Sequence, residues 1–240
     1  MKISQYNKSF TNNVLQLNFY IIFFLSACIT PIDLAFAFEN TADIGVAGFE
    51  DMKRFANSML NHFDIGEAGT HISISTFSDR PGVLSGFGAS YNKENVAKKI
   101  NSLTLSRSTT SNLGNYLEFA NREIFSINGR VRQATPRVLV IFTQGEYSSA
   151  QEFKIRDQAR KLKEAGKDVD IIVISVGDGS DTKFLSEVVS SPAASKLIQV
   201  LSSSSLDDPE QVIRTSQEVC SSKWSTRNCP ALFKFILYSF

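Results

Sequence analysis

Three short stretches of the chain are apolar at nearly every position: residues 33–38 (DLAFAF), 137–143 (RVLVIFT) and 169–176 (VDIIVISV). A strand with one wet face alternates polar and apolar residues, so runs without alternation describe strands buried on both faces. Such strands belong to parallel sheets, whose neighbours are joined by long crossovers, usually helices. The intervening sequence supplies those helices. Phe49, Met52, Phe55, Met59 and Phe63 recur at helical spacing, with Glu50, Asp51, Lys53 and Arg54 between them, the stripe of an amphipathic helix. Val96, Ile100 and Leu103 repeat the pattern within residues 92–103, and Leu113, Tyr116, Leu117 and Ala120 begin a third helix. Residues 151–165 read as a helix stopped by Gly166. A short helix over 184–189, with Asp181 as candidate N-cap, a strand over 196–201 and a helix over 208–219 follow. Residues 71–78 alternate at period two, and Pro81-Gly82 turns the chain into a return strand within 82–88. The expected fold is α/β: a doubly wound, mostly parallel central sheet with one antiparallel edge strand and helices on both faces.

A chain of 240 residues with 42% hydrophobic and 20% charged content has room for one domain of about 200 residues. Its formal net charge of +1, without any Lys/Arg run, gives no reason to expect nucleic acid as a partner. The two histidines, His62 and His71, lie outside any nucleophile constellation and read as surface or capping groups. No Gly-rich phosphate loop is present either, so no enzymatic activity is expected.

The N-terminus has its own character. Lys2 and Lys8 precede an apolar run over 17–25 that ends in Ser26-Ala27, the order of a secretory signal. The run is short for a bilayer span. An uncleaved anchor, a buried segment, or a lipoprotein-type box at 25–28 that would lipidate Cys28 are the rival readings. With residues 1–27 as signal peptide the protein is secreted and extracellular, and its three cysteines, Cys28, Cys220 and Cys229, are expected in disulfides. Residues 221–240 form an unassigned C-terminal tail whose apolar end is also too short to span a membrane.

Ligand sites of an open α/β sheet lie outside the C-terminal ends of its strands. Three loops converge there: 39–43 (ENTAD), 106–111, and Gln144-Gly145. Glu39, Asn40, Thr41 and Asp43 directly follow a buried strand. A metal ion would account for that crowd of oxygens, and so would a solvated strand-to-helix turn.

Residues 33–43, the helix 49–63 with Asp64-Ile65-Gly66, ISISTFSD at 72–79, VLVIFTQG at 138–145 and AGKDVDIIVISVG at 165–177 together resemble a von Willebrand factor type A domain of the extracellular matrix and adhesion type. The resemblance runs in order over about residues 32–220, implying a domain at 28–220. It implies a metal-ion-dependent adhesion site above the sheet, for Mg²⁺ or Mn²⁺. The family's Asp-x-Ser-x-Ser falls on Glu39, Thr41 and Asp43, its later Thr on Ser111, and the Asp of Thr-Asp-Gly on Gln144. All five positions are substituted, so the implied site is degenerate. Glu39 is one carbon longer than Asp, Gln144 removes a charge, and Asp43 restores one where a hydroxyl is expected. Small hard cations tolerate such misplacement poorly. In extracellular members a Cys before the first strand pairs with one after the last helix, here Cys28 with Cys220; a local Cys220–Cys229 bridge is the rival. The implied function is a secreted adhesion module that binds matrix or cell-surface protein with weakened or lost metal dependence. The alternative is a structural matrix component that oligomerises through Cys229.

Overall fold

The computed structural model describes residues 28–164, 166–200 and 208–221. The expected signal segment, the tail and Cys229 lie outside the described residues. Six strands form one sheet: β1 (Asp33–Glu39), β2 (His71–Phe77), β3 (Pro81–Ser85), β4 (Arg137–Thr143), β5 (Val169–Val176) and β6 (Leu197–Val200). Their order is β3-β2-β1-β4-β5-β6. All neighbours are parallel except β2 and β3, which form the antiparallel edge hairpin. Around the sheet lie α1 (Gly45–Met59), α2 (Lys93–Asn101), α3 (Leu113–Phe119), α4 (Ser149–Lys163), α5 (Thr182–Val188), α6 (Ala193–Lys196) and α7 (Pro209–Cys220). A π-helical turn over Ala120–Ile124 continues α3.

The central strand explains the layers. Every residue of β1 is buried. Leu34, Phe36 and Phe38 point into one hydrophobic layer, while Ala35 and Ala37 point into the other. The phenyl side is filled by aromatic packing, with Phe38 stacked on Phe142 at 4.9 Å and Phe55 edge-on to Phe142 at 5.9 Å. The alanine side leaves room for Tyr116, fully buried, whose hydroxyl lies 2.8 Å from Ser75 Oγ. Burial of an aromatic side chain of this size stabilises the fold by about 2–3 kcal/mol.

Local chemistry sets the helix ends. Asn92 and Asn112 cap α2 and α3 by accepting from the amides of Asn95 and Asn115. Ser148 and Gln151 form a capping box on α4, and Asp208 caps α7 ahead of Pro209. These caps answer the unpaired amides of a helix start. Boundaries moved by a few residues where the caps lie: α4 begins at Ser149, two positions before the periodic pattern does.

Two expectations about polar residues are corrected by packing. Lys53, which sequence spacing puts on a wet helical face, is 4% exposed; its ammonium reaches the carbonyls of Asn101 and Leu103, each at 3.3 Å, finishing the end of α2. His71 is no surface group. It is 6% exposed, with Nε2 2.9 Å from the Glu67 carbonyl and Nδ1 4.0 Å from Asp33 Oδ1.

The base of the domain is tied twice. Fully buried Asp33 accepts from the backbone and side chain of Arg132 at 2.7 and 2.8 Å, and Arg132 also donates to the carbonyls of Gly69 and Ile32. Cys28 and Cys220 are joined across a sequence separation of 192. Beside that bridge, buried Lys196 donates to Asp170 at 2.9 Å and to the Glu218 carbonyl at 3.0 Å, holding the end of α7 against β5.

Cys28→Ser is expected to lower unfolding free energy by several kcal/mol, up to about 5 for so long a loop, in urea titrations of oxidised protein; a loss under about 1 kcal/mol would remove the bridge as a stabiliser. Burial pushes the Tyr116 hydroxyl well above its ordinary 10.0, only partly offset by Ser75. Above about pH 10 the unfolded chain therefore sheds a proton that the folded one keeps. Stability holds below that pH and falls above it, by about 1.4 kcal/mol per pH unit for this tyrosine. Tyr116→Phe should flatten that slope in denaturation curves taken through the same range.

Candidate functional site

The parallel strands β1 and β4 end side by side, Phe38 level with Phe142, and their next residues, Glu39 and Thr143, meet at the top of the sheet. Glu39 is 2% exposed and Thr41 is 1% exposed, so these two side chains after β1 are shielded from solvent, whereas Asp43 is exposed. Its carboxylate is held by three donors. Thr41 Oγ1 donates to Oε1 at 3.1 Å; Thr143 Oγ1 and the Gln144 amide donate to Oε2 at 2.6 and 3.1 Å. With its proton committed to Glu39, Thr143 Oγ1 accepts from the Tyr147 hydroxyl at 2.6 Å and the Gly145 amide at 3.0 Å. The network is a chain of single donors, each with a defined direction.

Burial, and next the nearby charge of Glu39, push the Tyr147 hydroxyl well above its ordinary value, while the hydroxyls of Thr143 and Ser111 beside it pull the other way. Tyr147 therefore stays protonated and keeps donating. Tyr147 also packs its ring on Phe184, which anchors the loop to α5.

The other loops close over this floor through backbone bonds. Ala42 donates to the Ser108 carbonyl at 2.8 Å and Ser106 to the Asn40 carbonyl at 2.7 Å. Asn40 Nδ2 donates to the Thr104 carbonyl at 3.1 Å. Gln151, in the first turn of α4, donates to the Ser111 carbonyl at 2.8 Å. Gly145 has φ 77°, and a Cβ there would lie 2.7 Å from Leu185 and 2.9 Å from Ser180, so only glycine lets this loop sit against α5.

Of the five positions the sequence singles out, Glu39 and Thr41 form the crevice floor. Gln144 spans it, with its amide nitrogen on Glu39 and its side-chain Nε2 donating to the Asp43 carbonyl at 3.2 Å. Asp43 is exposed. Ser111 lies beside Tyr147, and its buried hydroxyl has no hydrogen-bond partner among the described residues. Thr143 and Tyr147 were not singled out as site residues from the sequence. Thr143 carried a signal, a hydroxyl closing an apolar strand; Tyr147 carried none. The exposed rim bears Asp43, Arg107, Glu146 and Asp178.

Comparison with known proteins now places these features. The von Willebrand factor type A domain family model matches residues 33–212. The chain is 25% identical to von Willebrand factor of Rattus norvegicus over 168 residues, 70% of this chain and 36% of that protein. It is 27% identical to the collagen alpha-4(VI) chain of Mus musculus over 151 residues, 62% of this chain and 6% of the collagen. It therefore spans a minor part of these relatives. Among solved structures, proximal thread matrix protein 1 from the mussel byssus, with a zinc-occupied MIDAS motif, superposes with a TM-score of 0.69 at 23% identity, covering 80% of this chain and 47% of that one.

Glu39→Gln would keep the shape of the floor but put an amide donor opposite Thr143 or Gln144. We expect a loss of about 2 kcal/mol, in the range for hydrogen bonds to a charged group, and about 1 kcal/mol for Tyr147→Phe. Urea denaturation of both variants is the measurement, and a neutral Glu39→Gln would mean that the carboxylate is not held by this network.

Proposed function

The chain belongs to the von Willebrand factor type A domain family, and from that premise we propose that it is a secreted extracellular module, adhesive and non-enzymatic, that binds matrix or cell-surface protein through the crevice above Glu39 with little or no dependence on metal. Residues 1–27 act as the signal peptide in this reading, and 28–220 as the binding domain. Relatives named as a collagen chain and a thread matrix protein support the matrix setting.

The observation that carries the metal-independent part is the state of Glu39. A small divalent cation takes about six oxygens, with carboxylate charge among them. The crevice floor offers one carboxylate, and both its oxygens already accept hydrogen bonds. The second acid, Asp43, is solvent-exposed, and Gln144 turns a donor rather than an acceptor toward its backbone carbonyl. Ser111 Oγ is the single buried oxygen of the five positions left unpartnered. This donor set suits a proton network and does not fit a divalent cation. Both oxygens of the Glu39 carboxylate are thus met by donors of the protein itself, and its hydrogen-bonding capacity is satisfied without a metal.

A partner would then be held by the loop surfaces, with Asp43 and Glu146 available on the rim. Binding of purified, oxidised protein to immobilised collagen and other purified matrix proteins is expected to persist in chelator, with no saturable heat on titrating Mg²⁺ or Mn²⁺. Asp43→Ala with Glu146→Ala should weaken the same binding several-fold, about 1 kcal/mol. Chelator-sensitive binding would overturn the metal-independent part; binding indifferent to the rim variants would move the interface away from the crevice.

A further inference from the structure

The loop after α3 carries chemistry that the adhesion reading does not use. Asn128-Gly129 is the only Asn-Gly pair in the 240 residues. It lies in a turn that follows the π-helical segment Ala120–Ile124, with Asn128 and Arg130 exposed and Ile127 94% exposed. Arg130 takes a φ of 61°, a left-handed conformation uncommon for a residue with a side chain. Packing requires the glycine: a Cβ on it would lie 1.9 Å from the Ile124 carbonyl and 2.4 Å from that of Glu123. The same missing side chain removes the steric barrier that a Cβ would set beside the Gly129 nitrogen.

We propose that Asn128 is a spontaneous modification site, deamidated in the folded protein to give an exposed acid–Gly–Arg tip. The Gly129 backbone nitrogen attacks the side-chain carbonyl carbon of Asn128, forming the new C–N bond of a cyclic imide. The bond from that carbon to the side-chain nitrogen breaks, and the nitrogen leaves as ammonia with the proton that Gly129 gave up. Water then adds to one of the two ring carbonyls and reopens the ring as aspartate or isoaspartate. Nothing is oxidised or reduced, and water is the sole co-reactant.

The turn sets the rate. The Gly129 amide donates to the Ser126 carbonyl at 3.1 Å and to Ser126 Oγ at 3.3 Å, which holds the proton that must leave. Conversion is therefore slower in the folded turn than in the free peptide, and a base accelerates it. The product lowers the formal net charge from +1 to zero. It also puts a new carboxylate between Glu123 and Arg130, all three on the wall of a cavity of about 360 Å³ at the β3 edge. A carboxylate and a guanidinium then stand two residues apart on one exposed turn, a charge pair suited to a protein site carrying the opposite pair.

The test is to incubate the oxidised protein near neutral pH and at mildly alkaline pH, then map peptides by mass spectrometry and label isoaspartate with isoaspartyl methyltransferase. Fragment-level assignment is needed, because Asp178-Gly179 isomerises without a mass change. The expected result is the amide-to-acid mass gain at residue 128, faster at higher pH, several-fold faster in Ser126→Ala and lost in Asn128→Gln. Retention of the amide at 128 while the excised peptide converts would overturn the proposal, as would conversion confined to other asparagines.

Discussion

The structure depends on burying β1 from both sides while it carries a carboxylate at each end. Asp33 and Glu39 are fully and almost fully buried, and ionised groups in such places cost several kcal/mol unless they are met by partners. The two ends solve this differently. Asp33 is met by a guanidinium, and that contact fixes the chain ahead of β4 by also engaging the carbonyls of Gly69 and Ile32. Glu39 is met by two hydroxyls and a backbone amide. The first arrangement closes the base of the domain, and the second organises its crevice.

That difference changes what each carboxylate does to its surroundings. A carboxylate neutralised by a cation is a strut, whereas one held by hydroxyl and amide donors leaves its charge to be felt by whatever lies above. Tyr147 responds to it already, since the charge of Glu39 is among the causes that keep its hydroxyl protonated. The loops over the floor are joined backbone to backbone, Ala42 to Ser108 and Ser106 to Asn40, so the crevice is pre-organised before any partner arrives. Such pre-organisation limits the entropy lost on binding. The base is equally constrained, with α7 tied through Cys220 and through Lys196.

Much of this was legible in the chain. Runs such as RVLVIFT and VDIIVISV define doubly buried strands because no polar position interrupts them, and β4 and β5 occupy those residues. The cap on α5 sits at Asp181, the candidate N-cap, and α2 and α7 begin within a residue of the starts expected at 92 and 208. Lys53 shows why burial of a polar residue is hard to read from a chain: spacing reports which face a residue occupies but not what packs over it. Lys53 is buried by the end of α2, a segment more than forty positions away along the chain.

Sequence alone determined the α/β architecture, the edge hairpin and the identity of the crevice loops, because these follow from hydrophobic periodicity and turn chemistry within short windows. Tertiary structure decided what the crevice is made of. Glu39 and Thr143 are 104 positions apart and meet only because β1 and β4 are parallel neighbours ending level with each other. Tyr147 completes the set from a loop with no periodic signature. Whether an acid is a ligand, a strut or the acceptor of a proton network depends on the donors around it, and those donors are assembled by the fold.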